Sequence, residues 1–166
     1  MTSSVKSAVY IHQGGSESIS NDASAGLQFL KRSLVTLDSL DPDPPVWQFL
    51  SKRAQFAINS DPSIPAEDLA KMFSMRHEKL EKFGHEVTRA WDIIEQPGGK
   101  RHTVIFDSVS TTQFKGDSVE IKVAELNVWE LEDEGENDEL KLVTAKCWMN
   151  PSAVHERARQ LFSQSS

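Results

Sequence analysis

The feature that most constrains this chain is a change of hydrophobic period at Gly84. Before it, apolar residues recur at helical spacing. After it, His85 to Glu95, Lys100 to Thr112, Ser118 to Glu132 and Glu139 to Met149 alternate or carry β-branched and aromatic residues, the pattern of extended strands. The breaks between these stretches are short: Gln96-Pro97-Gly98-Gly99, Lys115-Gly116-Asp117 and the acidic run Asp133 to Asp138. Such reversals join consecutive strands as antiparallel hairpins.

Upstream, Leu27, Leu30, Leu34, Val35 and Leu37 form the stripe of a first helix that starts at Asp22 or Ser24 and stops before Asp41-Pro42-Asp43-Pro44-Pro45. A short element around Trp47 to Leu50 leads to a brief strand over 54–58. Pro65-Ala66-Glu67-Asp68 then signals a helix start, with proline in the first turn and acids at the positive end of the dipole. That second helix carries Leu69, Met72, Phe73, Leu80 and Phe83 on one stripe, shared with Arg76 and His77, and Gly84 is its expected stop. Asn150-Pro151-Ser152 ends the last strand and begins a closing helix with Val154, Ala158, Leu161 and Phe162. Residues 1–22, rich in Ser, Gly and Asn, read as an N-terminal arm outside the core, leaving 23–166 as a single domain.

With 166 residues, one domain of this size buries roughly two-thirds of its unfolded surface and folds without covalent staples. The lone Cys147 lies in an apolar strand run and reads as a buried, inert thiol in a reducing, cytoplasmic compartment. No apolar run approaches the ~20 residues of a membrane span, and the short patch Ala8 to Ile11 lacks the flanks of a secretion signal, so no membrane association is expected. A net charge of −7 without a local basic cluster argues against nucleic acid. The acidic loop lacks the ligand spacing of a calcium site and reads as a solvated hairpin tip. There is no glycine-rich phosphate loop, zinc-type Cys/His cluster or nucleophile elbow. Neither a cofactor nor a metal is therefore expected, and any chemistry must come from acids, bases and pocket shape.

Helices first, then a brief strand, a helix and a meander of long strands is an α+β order, with helices packed on one face of a curved antiparallel sheet. Over residues 23 to 149 it resembles the nuclear transport factor 2-like superfamily, in particular its SnoaL-like members. The run Met75 to Asp92 is similar to the helix-to-strand junction of small fungal members. The resemblance implies a cone-shaped α+β barrel with a pocket between the concave sheet and the helices, and it adds the expectation of a homodimer. Its members include isomerases, dehydratases, cyclases and proteins that only bind, so the fold does not choose among them.

Proton transfer next to a carbonyl or a leaving hydroxyl needs one acceptor and one donor in a dry cavity. His77, on the stripe of the second helix, and His85, at the head of the first long strand, are the candidate bases. Asp92, Asp107 and Glu125 are the candidate acids or orienting partners. If the parity of His85 lines the hollow, Arg89 and Trp91 join it as a polar and aromatic strip; if the opposite parity does, Asp92 is the acid. Asp107 stands between Ile105 and Val109, and Glu125 shares parity with Ile121 and Val123. Asn127, Trp129 and Trp148 complete a candidate substrate wall. The ligand class is a small hydrophobic, oxygen-bearing metabolite, handled by cofactor-independent isomerisation, dehydration or cyclisation. The rival reading is a non-catalytic binding or dimeric interaction module whose cone is filled by its own side chains.

Overall fold

A computed structural model of the chain describes residues 7–95, 99–134 and 139–163. The strands are β1 (Ala8–Gln13), β2 (Leu50–Ile58), β3 (Ile64–Pro65), β4 (Leu80–Ile94), β5 (Arg101–Phe114), β6 (Glu120–Asp133) and β7 (Leu140–Met149). The helices are α1 (Ala25–Leu37), α2 (Leu69–Lys79) and α3 (Ser152–Phe162). All the strands join one seven-stranded sheet in the order β1-β4-β5-β6-β7-β2-β3. Neighbours are antiparallel except β2 and β7, which run parallel. The sheet is curved and unclosed, with β1 and β3 at its edges.

The meander is as the alternation requires. β5 buries every second residue from His102 to Phe114, and β6 does so from Ile121 to Leu131. The inner face has three zones. At one end Phe106, Val104, Trp129 and Leu131 pack against Leu27, Phe29, Leu30 and Leu34 of α1. Phe29 and Phe106 both meet Trp129 edge-on, at 6.3 and 5.0 Å between ring centres. At the other end Leu80, Phe114, Ile121 and Val123 lie beneath Val154, Ala158 and Leu161 of α3. Between them runs a buried polar belt of Ser108, Ser110, Thr112, Glu125 and Asn127.

Three sequence expectations change. α2 ends at Lys79 and β4 begins at Leu80, so Gly84 lies inside a strand rather than stopping a helix. A register shift between Leu80 and Lys82 lets Leu80 and Phe83 both turn inward, so the three-residue spacing that reads as helical belongs to a bulged strand. The brief strand at 54–58 reaches back to Leu50. The segment read as an arm also contributes to the core: β1 pairs along β4 from Ala8↔Ile94 to Gln13↔Arg89, and Ile19 is 1% exposed. Its polar composition hides one apolar anchor and one edge strand. The turns assigned to Gln96-Pro97-Gly98-Gly99 and to the acidic run before Glu139 lie largely outside the described residues.

A second bulge matters more. The β4–β5 register shifts again between Val87 and Arg89, so the inward row changes parity. His85 and Val87 face in on one side of it, Ala90 and Asp92 on the other. Neither of the two alternatives drawn from strict alternation holds along the whole strand.

Candidate active site

α1 ends at Asp38, its C-cap, directly beside the start of β4. A carboxylate is disfavoured at the negative end of a helix unless a cation or donor compensates it. His85 does so twice: its backbone N–H donates to Asp38 Oδ2 at 2.8 Å, and its Nδ1 lies 2.5 Å from Asp38 Oδ1. On the other side of the ring, His85 Nε2 lies 3.1 Å from Glu125 Oε2. The imidazole is thus held between two carboxylates, with its edge also against Phe83. Burial alone would lower the His85 pKa, but the bonds and charges of Asp38 and Glu125 outweigh it and push it up to about 9. The same contact acts on Glu125. Burial would raise its pKa, yet His85, with help from Ser110 and Cys147, holds it below the ordinary carboxylate value. At neutral pH the unit is an imidazolium between two carboxylates.

This unit borders a cavity of about 280 Å³. Leu34, Leu37, Leu69, Met72, Phe106 and Trp129 give it an apolar wall; Asp38, Asp61, Arg76, His85, Lys146 and Cys147 are its polar part. Glu125 does not border it and instead backs His85. Cys147 Sγ lies 3.6 Å from Glu125 Oε2, and burial together with that carboxylate pushes the thiol up to about 12, which keeps it protonated and unreactive. Among the described residues, no group of three or more His, Cys, Asp or Glu side chains is placed to hold a metal ion.

The structure brings together only part of the candidate set. His85, Glu125 and Trp129 meet at or behind the cavity. Asn127 is buried in the polar belt, where its Nδ2 donates to Ser108 Oγ at 3.1 Å. His77 is exposed on α2 and its Nδ1 contacts the Leu40 carbonyl at 3.0 Å, away from the cavity. Asp107 points to the outer face of the sheet, opposite to the inward row of Phe106 and Ser108. Arg89 and Trp91 stack on each other on that outer face, 5.7 Å from cation to ring centre, and Trp148 is exposed there too. Asp92 is fully buried but in a different place. It bonds His102 Nδ1 at 2.9 and 3.0 Å and accepts the backbone N–H of Gly26 at 3.1 Å, capping α1 from the sheet.

Two residues of the site escape a reading of strand parity: Asp38 and Arg76. The signal for Asp38 is an acid at a helix C-terminus. For Arg76 it is a cation on an otherwise apolar stripe.

The order of strands, the helices across the concave face and the pocket between them decide the fold, and solved structures agree. BvnE pinacolase from Penicillium brevicompactum superposes with a TM-score of 0.61 at 10% identity, covering 86% of this chain and 100% of that one. The chain has the nuclear transport factor 2-like fold. The hexachlorocyclohexane dehydrochlorinase LinA-type3 from Novosphingobium barchaimii matches at TM-score 0.59 and 15% identity, over 76% of this chain and 84% of its own. A protein with a ketosteroid isomerase-like fold from Catenulispora acidiphila matches at 0.51 and 11%, over 72% and 83%. No family model matches the sequence, and no curated protein matches it. At these identities the nuclear transport factor 2-like fold is what is shared, and chemistry has to be argued from the side chains.

Proposed function

We propose that this protein is a cofactor-independent acid–base enzyme acting on a small hydrophobic, oxygen-bearing metabolite by isomerisation, dehydration or cyclisation. The observation that carries the reading is His85, flanked by Asp38 at 2.5 Å and Glu125 at 3.1 Å, on the wall of a largely apolar cavity. A purely structural ion pair does not need an open hollow beside it. The cavity is roughly twice the ~150 Å³ that takes a benzene ring, enough for a compact one- or two-ring compound. Because the imidazole is charged at neutral pH and both its N–H groups are held by carboxylates, the group that takes up and gives back the proton at the cavity wall is the Asp38 carboxylate, which His85 holds in place and keeps ionised. Glu125 fixes the ring and keeps it charged. Dehydrochlorinase and pinacolase chemistries named for proteins of this fold are compatible with such a site.

The test is incubation with a panel of hydrophobic hydroxy-ketones in D2O, with mass spectrometry reading deuterium uptake or loss of water. At least one compound is expected to react, with His85→Gln and Asp38→Asn slowing it by on the order of 10²–10⁴. The rate should fall as pH rises through about 9, where His85 loses its proton. Binding without reaction across the panel would leave the non-catalytic module as the reading.

A homodimer through the outer sheet face and a cytoplasmic location belong to the same proposal. The first is supported by the exposed Leu126 and Trp148, which are register partners on that face. The second is supported by the unpaired thiol of Cys147.

A further inference from the structure

Besides His85, two cations line the cavity: Lys146, which is exposed on β7, and Arg76 of α2, which is half-buried and which the proton-transfer unit does not use. The Arg76 guanidinium lies 3.8 Å from the centre of the Phe83 ring, a cation–π contact that holds it in place. One donor, Nη1, reaches the Leu37 carbonyl at 2.8 Å. An arginine has five N–H donors, and among the described residues this is its single hydrogen bond, with no carboxylate at ion-pairing distance. Burial draws the guanidinium down to about 10, opposed by Asp38 and Glu125, so it stays charged at neutral pH. A half-buried cation held against an aromatic ring, with free donors beside a largely apolar cavity, is an incomplete hydrogen-bonding site.

We infer that Arg76 is the oxygen-binding group of the site and that the ligand is an uncharged, enolisable carbonyl compound, its oxygen on the guanidinium and its α-carbon towards Asp38. This rests on the proposed function and narrows its substrate class. Charge selects the class: Asp38, Asp61 and Glu125 contribute three negative charges and His85, Arg76 and Lys146 three positive, so the site offers a permanent anion little net attraction. A carbonyl oxygen gains most from Arg76 when it becomes an enolate, which is where stabilisation accelerates the reaction. In the step, the α-C–H proton passes to Asp38 and its electron pair becomes the C=C bond. The carbonyl π pair moves to the oxygen facing Arg76. The enolate then collapses as Asp38 gives the proton back, either to the γ-carbon of the dienolate formed from a β,γ-unsaturated carbonyl compound, or to a departing β-hydroxyl, which leaves as water. Asp38 is thereby restored as the carboxylate, and His85, both of whose N–H groups are held by carboxylates, keeps its proton throughout.

The probe is 4-nitrophenol, an enolate mimic whose ionised form absorbs visible light. Bound to the unmodified protein it should ionise about one pH unit lower than in solution. Arg76→Met should abolish that shift and weaken binding on the order of tenfold, a factor worth ~1.4 kcal/mol. Arg76→Lys, which keeps the charge and the fold but not the planar fork, should lie between them. Ala57→Trp fills the cavity and should block binding. If the probe enters the cavity, so that Ala57→Trp excludes it, yet ionises no more readily than in solution or binds Arg76→Lys and Arg76→Met as tightly as the parent, the role of Arg76 is overturned and the proposed function stands. If neither the probe nor the ketone panel enters the cavity, both fall together.

Discussion

At the scale of single residues, the described part of the chain holds two buried His–carboxylate pairs with opposite duties. His85 and Asp38 border a hollow, whereas His102 and Asp92 are sealed between α1 and the sheet, with Asp92 at 0% exposure. The second pair replaces a helix cap: Ser24, at the N-cap of α1, makes no side-chain capping bond, and Asp92 takes the Gly26 N–H instead. Gly26 has no room for a side chain, since a Cβ there would lie 2.5 Å from the Asp92 carboxylate. Gly26→Ala should therefore cost about 1–3 kcal/mol or more, because neither backbone nor a buried, bonded carboxylate can step aside. Asp92→Ala should cost about 3–5 kcal/mol by leaving His102 buried without its partner. Denaturant unfolding measures both, and a loss within experimental error for either would show that α1 does not depend on this cap. Asp92 was legible in the sequence as an inward carboxylate, but composition does not distinguish a residue that ties a helix down from one that faces a ligand. What separates them is the presence of empty space, which belongs to the packing of several elements at once.

At the scale of elements, the meander and the helices could be read from the period of apolar residues because that period is a local property. The facing of β4 could not. Two bulges, near Glu81 and Thr88, reset its alternation, so His85 and Asp92 share an inner surface although they are of opposite parity. Nothing in Leu80 to Ile94 marks them, since neither site needs glycine, and they arise from how β4 must curve against β5. β5 and β6, whose mutual register runs unbroken, are where strict alternation succeeds: Glu125 and Trp129 face in. The outer surface of the same strands exposes Leu126 and Trp148, 41% and 42% accessible. If a second copy covers this patch, Leu126→Lys with Trp148→Lys should convert a dimer to a monomer in light scattering while leaving the circular dichroism spectrum unchanged. A parent protein that is already monomeric at micromolar concentration would remove the dimer from the proposal.

For the whole molecule, the doubly paired imidazole links stability to pH. The folded-state pKa of His85 is raised from 6.5 to about 9, so its contribution is fully present below 6.5 and is lost as pH rises through 9. Glu125 has the opposite sign: its folded value is depressed below 4.5, so its share is present above 4.5 and lost as pH falls through the depressed value. Both express one shared contact and are not summed. At roughly 1.4 kcal/mol per pH unit the His85 contribution is about 3 kcal/mol at most. Unfolding free energy should therefore be highest between pH 4.5 and 6.5 and decline towards 9, with the slope flattened in Asp38→Asn. A profile rising from pH 6.5 to 9 would contradict the arrangement of charges.

The parallel pairing of β2 with β7 has a consequence for how such a protein comes together. β4, β5, β6 and β7 are joined as successive hairpins, whereas Ile58 of β2 meets Cys147 of β7, as Ala8 of β1 meets Ile94 of β4, only after the intervening chain has folded. Contacts between distant parts of a chain pay their loop-closure entropy last. The hollow is bounded by β2 and β7, so it has no existence in a partly assembled chain, and any compound lodged in it is a rivet between the early and late halves of the polypeptide.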